Sequence, residues 1–376
     1  SGSVSWQVCR PEITMGSSLS SEMCARDRKL DREHPPVPPV TTELFDEHQK
    51  LLTAAGWQGF VEWSGSVQAT DTLLIIDMQN DFLPESVAPQ GGRFGVAEGG
   101  ATVEPIIKLI EAFSDVGALI VATRDYHPFD HCSFSGCGGP FPPHCVQGSK
   151  GSFFFPPIGD ALKEAISKDS SGKQPPAPKS LKRRGSAFGK DAVPTEWARP
   201  TGNVLIAFKG FVEEVESFGG FEYAKEHYET RVCSAVTTCR WEVDQKSSIT
   251  EGLSCSGPWT GAIQLKCSCL LEDINAPPDV TAILRKDRKV LHEAIPKDGR
   301  LLVVGLAFDF CVTDSAINAA KLGYSSVFIA GDAARAAHIP NHGKFGSGFL
   351  TDPKFLVEKW KELGIGLVRS EDVMKA

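Results

Sequence analysis

The sequence predicts an α/β protein built on a parallel sheet with helices on both faces. Two patterns predict it. Short, continuous apolar runs recur along the chain: "TLLIIDM" (72–78), "ALIVATRD" (118–125), "NVLIAFK" (203–209), "RLLVVGLA" (300–307) and "SVFIAGDA" (326–333), with "GIGLV" (364–368) closing the series. Helical patterns lie between them. Strands apolar along their whole length are strands covered on both faces, which is the signature of a parallel sheet joined by crossover helices.

The elements follow in order. Residues 1–40 are polar and end in "HPPVPPV", a run that favours extended polyproline structure. Residues 41–56, "TTELFDEHQKLLTAAG", read as a capped amphipathic helix ended by a glycine. Residues 1–67 are therefore expected to be an N-terminal extension, partly flexible and with one helix, and 68–376 the α/β domain. In "ATVEPIIKLIEAFSDVG" (101–117), Val103, Ile106, Ile107, Ile110 and Phe113 fall at helical spacing. Further helices are expected at 310–323 and 353–363. Two stretches break the rhythm and are read as insertions. One, at about 159–200, contains "SGKQPPAPKSLKRRGS"; the other, at about 224–280, holds five cysteines. The spacing of those cysteines matches no standard zinc finger, and scattered inert thiols are expected.

Composition excludes several classes. A net charge of −8 offers no basic face to nucleic acid. No apolar run approaches the roughly 20 residues of a membrane span. The start, "SGSVSWQVCRPEI", shows neither the basic nor the apolar region of a secretory signal. Eleven cysteines in 376 residues, irregularly spaced, do not form a small disulfide scaffold. An intracellular, cytoplasmic location is expected.

Four polar groups fall at carboxyl ends of strands, where open parallel sheets bind ligands. Asp77 ends the first run, Asp125 the second and Lys209 the third; Cys311 follows the fourth and opens a helix. A cysteine there is either a small buried apolar spacer or a nucleophile, its thiol acidified by oriented N–H groups. A nucleophilic thiol needs a proton acceptor. Asp77 could serve, with Lys209 steadying the charge. The segments "RDYHPFDHCSF" and "FPPHCVQGS" hold a second set: Asp125 and His127 share one face of an extended segment, and His144 completes a carboxylate–imidazole–imidazole group. That donor set suits Zn²⁺ foremost, with Fe²⁺ or Mn²⁺ as alternatives, and His131 is a further ligand or a supporting group.

Taken together, "DMQNDF", D-x-H followed by "PPHCVQG", "FKGF", and "GLAFDFCV" with "GYSSVFIAGDAA" resemble the nicotinamidases of the isochorismatase-like cysteine hydrolases. The resemblance covers about 70–158, 203–223 and 281–370 in the same order. It implies a three-layer αβα fold with a six-stranded parallel sheet, here carrying two large insertions. It implies a catalytic triad of Asp77, Lys209 and Cys311, an oxyanion hole from the N–H groups of Ala307 and Cys311, and a cis peptide at Leu306–Ala307. Asp125, His127 and His144 match the metal ligands, and His131 matches a histidine that some members add. Phe82 matches an aromatic wall of the substrate pocket. Phe141 stands where many members carry tryptophan, which keeps the wall but removes the indole N–H. The implied reaction is hydrolysis of nicotinamide to nicotinate and ammonia through a thioester, a step of NAD salvage. Homo-oligomers are common in the family. The competing readings are an amidase of the same superfamily acting on another small amide or ureido substrate, and a non-catalytic scaffold whose insertions bind a partner.

Overall fold

The computed structural model describes residues 42–170, 203–211, 213, 215–223, 263–266, 274–275, 277 and 291–375. The chain divides into two units, Ser1–Pro36 and Val37–Ala376, and all described residues lie in the second. The cysteines of the second expected insertion (Cys233, Cys239, Cys255, Cys267 and Cys269) and the basic run 179–186 lie outside the described residues.

Six parallel strands form the sheet: β1 (Thr72–Ile76), β2 (Leu119–Asp125), β3 (Val204–Lys209), and, after a short edge strand β4 (Ile263–Lys266), β5 (Leu301–Leu306), β6 (Val327–Arg335) and β7 (Gly366–Val368). The order is β4-β3-β2-β1-β5-β6-β7. The six expected strands are all present and parallel. β4 is an addition: it comes from the 224–280 stretch, where no strand was expected, and pairs antiparallel with β3 from Leu205↔Lys266 to Phe208↔Ile263. Such an antiparallel edge strand is a common extension of a parallel sheet.

Successive residues of each strand enter opposite cores, because side chains alternate across a pleated sheet. Leu73, Ile75, Ile120, Ala122, Leu302 and Val304 join one apolar cluster, and Leu74, Ile76, Val121, Leu301 and Val303 join the other. Every described residue of β1, β3 and β5 is buried. The first face is covered by α2 (Val103–Asp115) and α3 (Pro156–Ser170). The expected α2 spacing holds: Val103, Ile106, Ile110 and Phe113 are buried, and Leu109 with them. α3 continues through residues read as the opening of an insertion, so that the helix belongs to the first layer.

The other face is covered by α5 (Thr313–Lys321) and α6 (Pro353–Leu363), which follow the short α4 (Leu291–Ala294) and precede α7 (Ser370–Lys375). α6 begins at Asp352, whose carboxylate accepts the Lys354 N–H at 2.9 Å, with Pro353 in the first turn, and ends at Gly364 in the left-handed conformation. The N-terminal helix α1 (Glu43–Ala54) is present where expected, and its buried His48 packs edge-to-face on Phe308 at 5.5 Å.

Chain direction across the sheet reverses between β1 and β5, so a crevice opens at the carboxyl ends of these two strands. Gly305 makes the close approach possible. Its φ is +114°, and a Cβ there would lie 2.1 Å from the Ile76 carbonyl oxygen. The Leu306–Ala307 peptide that follows is cis. Gly305→Ala should therefore lose ~3 kcal/mol or more of stability from backbone strain and overlap. Urea denaturation tests this, and a midpoint equal to wild type would contradict it.

Candidate active site and metal centre

Parallel register brings the polar strand ends to one edge. Asp125 and Lys209 are Cα partners on β2 and β3, and Asp77 follows β1 directly. Asp77 sits at φ +48°, an uncommon conformation for a side-chain-bearing residue. Its N–H donates to Thr123 Oγ1 at 3.0 Å, and the same hydroxyl donates to Asp77 Oδ1 at 2.6 Å. Gln79 fixes the neighbouring strand end: its Oε1 accepts the Asp125 N–H at 2.7 Å and its Nε2 donates to the Asp125 carbonyl at 2.8 Å.

Lys209 is fully buried. Its ammonium lies 2.8 Å from Asp77 Oδ2, 2.9 Å from Asp125 Oδ1 and 3.7 Å from Cys311 Sγ. Burial works against its charge, but the Asp125 and Asp77 carboxylates outweigh it and hold Lys209 well above the usual lysine range. Burial is also the largest influence on Asp77, whose carboxyl rises to about 6 although Lys209 pulls it down.

Cys311 lies in the Phe308–Val312 turn that opens α5. The Ala307 carbonyl accepts the N–H groups of Phe310 and Val312, both at 3.1 Å, and shapes that turn. The helix start alone suggests an acidified thiol. Burial instead pushes Cys311 well above its usual value; Lys209 acts against this, while Asp77 and Asp125 add to it. The resting group is thus a thiol whose proton can pass to a nearby carboxylate, rather than a standing thiolate.

The second set also converges. One donor atom from each of Asp125, His127 and His144 lies within 4.8 Å of the others, and all three residues are buried. His127 Nε2 is 3.2 Å and His144 Nε2 4.0 Å from Asp125 Oδ2. The opposite nitrogens are held by backbone: His127 Nδ1 by the Gly210 carbonyl at 2.7 Å, His144 Nδ1 by the Pro142 carbonyl at 2.8 Å. This arrangement turns both Nε2 atoms toward the carboxylate, the orientation that metal-ligating histidines require. His127 Nε2 is buried, and the Asp125 carboxylate is the group it faces. Gly210 permits the approach: at φ +66° a Cβ there would meet His127 Cε1 at 2.5 Å and Asp125 Oδ1 at 2.7 Å. Burial pushes His144 down to about 4, so it is neutral and able to ligate. The donors fit a divalent cation.

His131 is placed differently. Its Nδ1 contacts Ser133 Oγ at 2.7 Å and its Nε2 the Val215 carbonyl at 3.1 Å, while its ring stacks on His127 at 4.1 Å. Both nitrogens have polar partners, and the ring lies against that of His127. His127, His131 and Glu216 form a second group of potential ligands.

Between Cys311 and the Asp125, His127 and His144 group lies a pocket partly open to solvent. Phe82, Phe141, Ala307 and Cys311 line it. Phe94, Glu216, Phe218 and Phe310 line it as well and were not singled out in the sequence. Gln79 and Phe310 fall inside motifs already quoted, so a signal existed for them. Glu216 and Phe218 follow "FKGF" in a stretch with no periodicity, and only the folded chain brings them in.

A buried Cys–Lys–Asp cluster thus lies at the switch point of a parallel sheet, beside a carboxylate–imidazole set, and residues 71–173 match the family described as Isochorismatase domain. Two curated proteins similar to this chain are nicotinamidases. The chain is 34% identical over 99 residues to the nicotinamidase of Escherichia coli, covering 22% of this chain and 44% of that protein. It is 36% identical over 99 residues to the nicotinamidase/pyrazinamidase of Mycobacterium tuberculosis, covering 25% of this chain and 48% of that protein. The chain thus spans about half the length of the curated relatives it matches. The zinc complex of Pyrococcus horikoshii pyrazinamidase aligns with a TM-score of 0.41 at 22% identity, over 80% of this chain and 99% of that one. Among the described residues, no helix is long and apolar enough to cross a membrane.

Elemental analysis of the purified protein should find a divalent ion that Asp125→Ala removes. A variant that keeps its ion at the wild-type ratio would overturn this ligand assignment.

Proposed function

We propose that this protein is a metal-assisted cysteine amidohydrolase that converts nicotinamide to nicotinate and ammonia, a reaction that serves NAD salvage. The observation that carries the reading is Lys209, whose single ammonium touches the candidate base, the candidate nucleophile and a candidate metal ligand. That contact makes the two constellations one site. The named relatives, both nicotinamidases, point to the same amide chemistry.

Asp125, His127 and His144 would hold a divalent ion, Zn²⁺ foremost, which would supply Lewis acidity to orient the heteroaromatic substrate. The phenylalanine walls take the flat ring and exclude water, which strengthens every charge interaction inside. Asp77 accepts the Cys311 proton as sulfur attacks the carboxamide carbon. Lys209 holds the local charge as that proton moves. The N–H groups of Ala307 and Cys311 receive the oxyanion. Asp77 returns the proton to the leaving nitrogen, ammonia departs, and a thioester remains on Cys311. Asp77 then takes a proton from water as it attacks the thioester carbonyl; nicotinate leaves and the thiol is restored.

Cys311→Ala should reduce ammonia release from nicotinamide to background while the fold is kept by circular dichroism; turnover near wild type would remove Cys311 from the nucleophile role. The pH profile tests Asp77. A base with its pKa raised to about 6 is active above that pH, and the rate falls as pH drops through it. The Thr123 hydroxyl lowers that pKa, so Thr123→Val should move the acid limb to higher pH. An unchanged or downward-shifted limb would assign the limb to another group.

A further inference from the structure

The stretch from Val215 to Tyr223 runs as a strap between the two halves of the site. At one end the Val215 carbonyl meets His131 Nε2 at 3.1 Å. At the other it is tied to α5, the helix that Cys311 opens. The Tyr223 hydroxyl donates to Asp314 Oδ2 at 2.5 Å and accepts the Gly219 N–H at 2.8 Å. The Gly220 N–H donates to Ser315 Oγ at 2.9 Å, and Asn318 Nδ2 donates to the Phe221 carbonyl at 3.0 Å. Ser315 Oγ in turn donates to the Cys311 carbonyl at 2.6 Å. The strap is therefore fixed to the same turn of helix that carries the thiol.

Phe218 lies in the middle of the strap, buried, and lines the pocket. Its ring stands edge-on to Phe310 at 5.2 Å and 79°, and to Phe141 at 6.1 Å and 74°. Phe310 is the neighbour of Cys311, and Phe141 belongs to the loop that carries His144, so Phe218 bridges the aromatic wall of the nucleophile side with that of the metal side. The wall continues through Phe94, 5.4 Å from Phe141. Edge-to-face rings at these separations hold one another in fixed orientations. A flat six-membered heteroaromatic ring can meet such walls face to edge along its whole outline. A two- or three-carbon amide or a ureido group has less surface to offer and makes fewer such contacts.

We propose that Phe218 is a specificity-determining residue, closing the pocket so that flat heteroaromatic amides are selected over small aliphatic and ureido amides, and that Tyr223, through the strap's bonds to α5, is its positioning residue. The proposal rests on the amidase reading above.

The test measures kcat and KM of the full chain for nicotinamide and for propionamide, together with calorimetric binding of nicotinamide, in wild type, Phe218→Ala, Phe218→Leu and Tyr223→Phe. Phe218→Ala should lower the preference for nicotinamide by about 10- to 200-fold, the span that pocket contacts of this kind command, mainly through KM. Phe218→Leu, which keeps much of the volume, should lose less, and Tyr223→Phe should shift KM in the same direction by a smaller factor. Equal loss on both amides, or a fall in kcat with KM and binding unchanged, would overturn the proposal. If Phe218→Ala does not fold, the Phe218→Leu and Tyr223→Phe arms decide by the same criteria. If wild type hydrolyses neither amide, the amidase reading fails separately. The pocket claim is then judged by calorimetry: weaker nicotinamide binding in the Phe218 variants supports it, and equal binding overturns it.

Discussion

Lys209 carries a full positive charge in a position with no access to water, and a buried ammonium without compensation costs several kcal/mol. Here the compensation is two carboxylates, Asp77 and Asp125, within 3 Å on either side. Removing Lys209 alone would leave two carboxylates facing each other in the core without a cation. The strands that carry them are constrained accordingly: β2 and β3 must pair so that Asp125 lies opposite Lys209, and β1 must end beside them. The same cation reaches Cys311, so the electrostatics of the thiol, of its candidate base and of the metal set are determined together.

That cluster needs a dry, rigid setting, and the sheet supplies it. Continuous apolar strands with cores on both faces exclude water up to the carboxyl ends. There the reversal of chain direction between β1 and β5 opens room for a ligand. Gly305 and the turn after it bring the backbone against β1 and present Cys311 to Lys209. Gly210 performs the corresponding service on the other side, where only a hydrogen in place of a side chain leaves space for the His127 ring. The histidines are then oriented by backbone carbonyls rather than by chance packing, and their Nε2 atoms converge on Asp125.

The pocket between these groups is aromatic on most sides, and its walls come from five separate places in the chain: the turn after β1, the segment around Phe94, the His144 loop, the strap after β3 and the nucleophile turn. Rings from distant segments hold one another edge-to-face, so the shape of the slot depends on the loops around it as much as on the sheet. A low-dielectric enclosure of this kind magnifies the few charges inside it.

The six parallel strands, α2 and the carboxyl-end placement of Asp77, Asp125, Lys209 and Cys311 were legible in the sequence, because burial on both faces demands unbroken apolar runs and parallel strands all end on one side. The Asp125, His127 and His144 set was legible from spacing and residue type. Other features were not. β4 lies in a stretch without apolar rhythm, and its place is decided by the free edge of β3. His131 reads in sequence as a further ligand or a supporting group, and its partners, Ser133 and the Val215 carbonyl, emerge only in the fold. Helix-start position suggests an acidified Cys311, whereas its burial among carboxylates raises it. Phe218 and Glu216 carry no local signal. Periodicity and strand-end chemistry are local properties, so the sequence by itself determined the sheet and the reactive groups on its rim. Hydrogen-bond partners, desolvation and the closure of a pocket depend on residues far apart in the chain, and those only the tertiary structure decided.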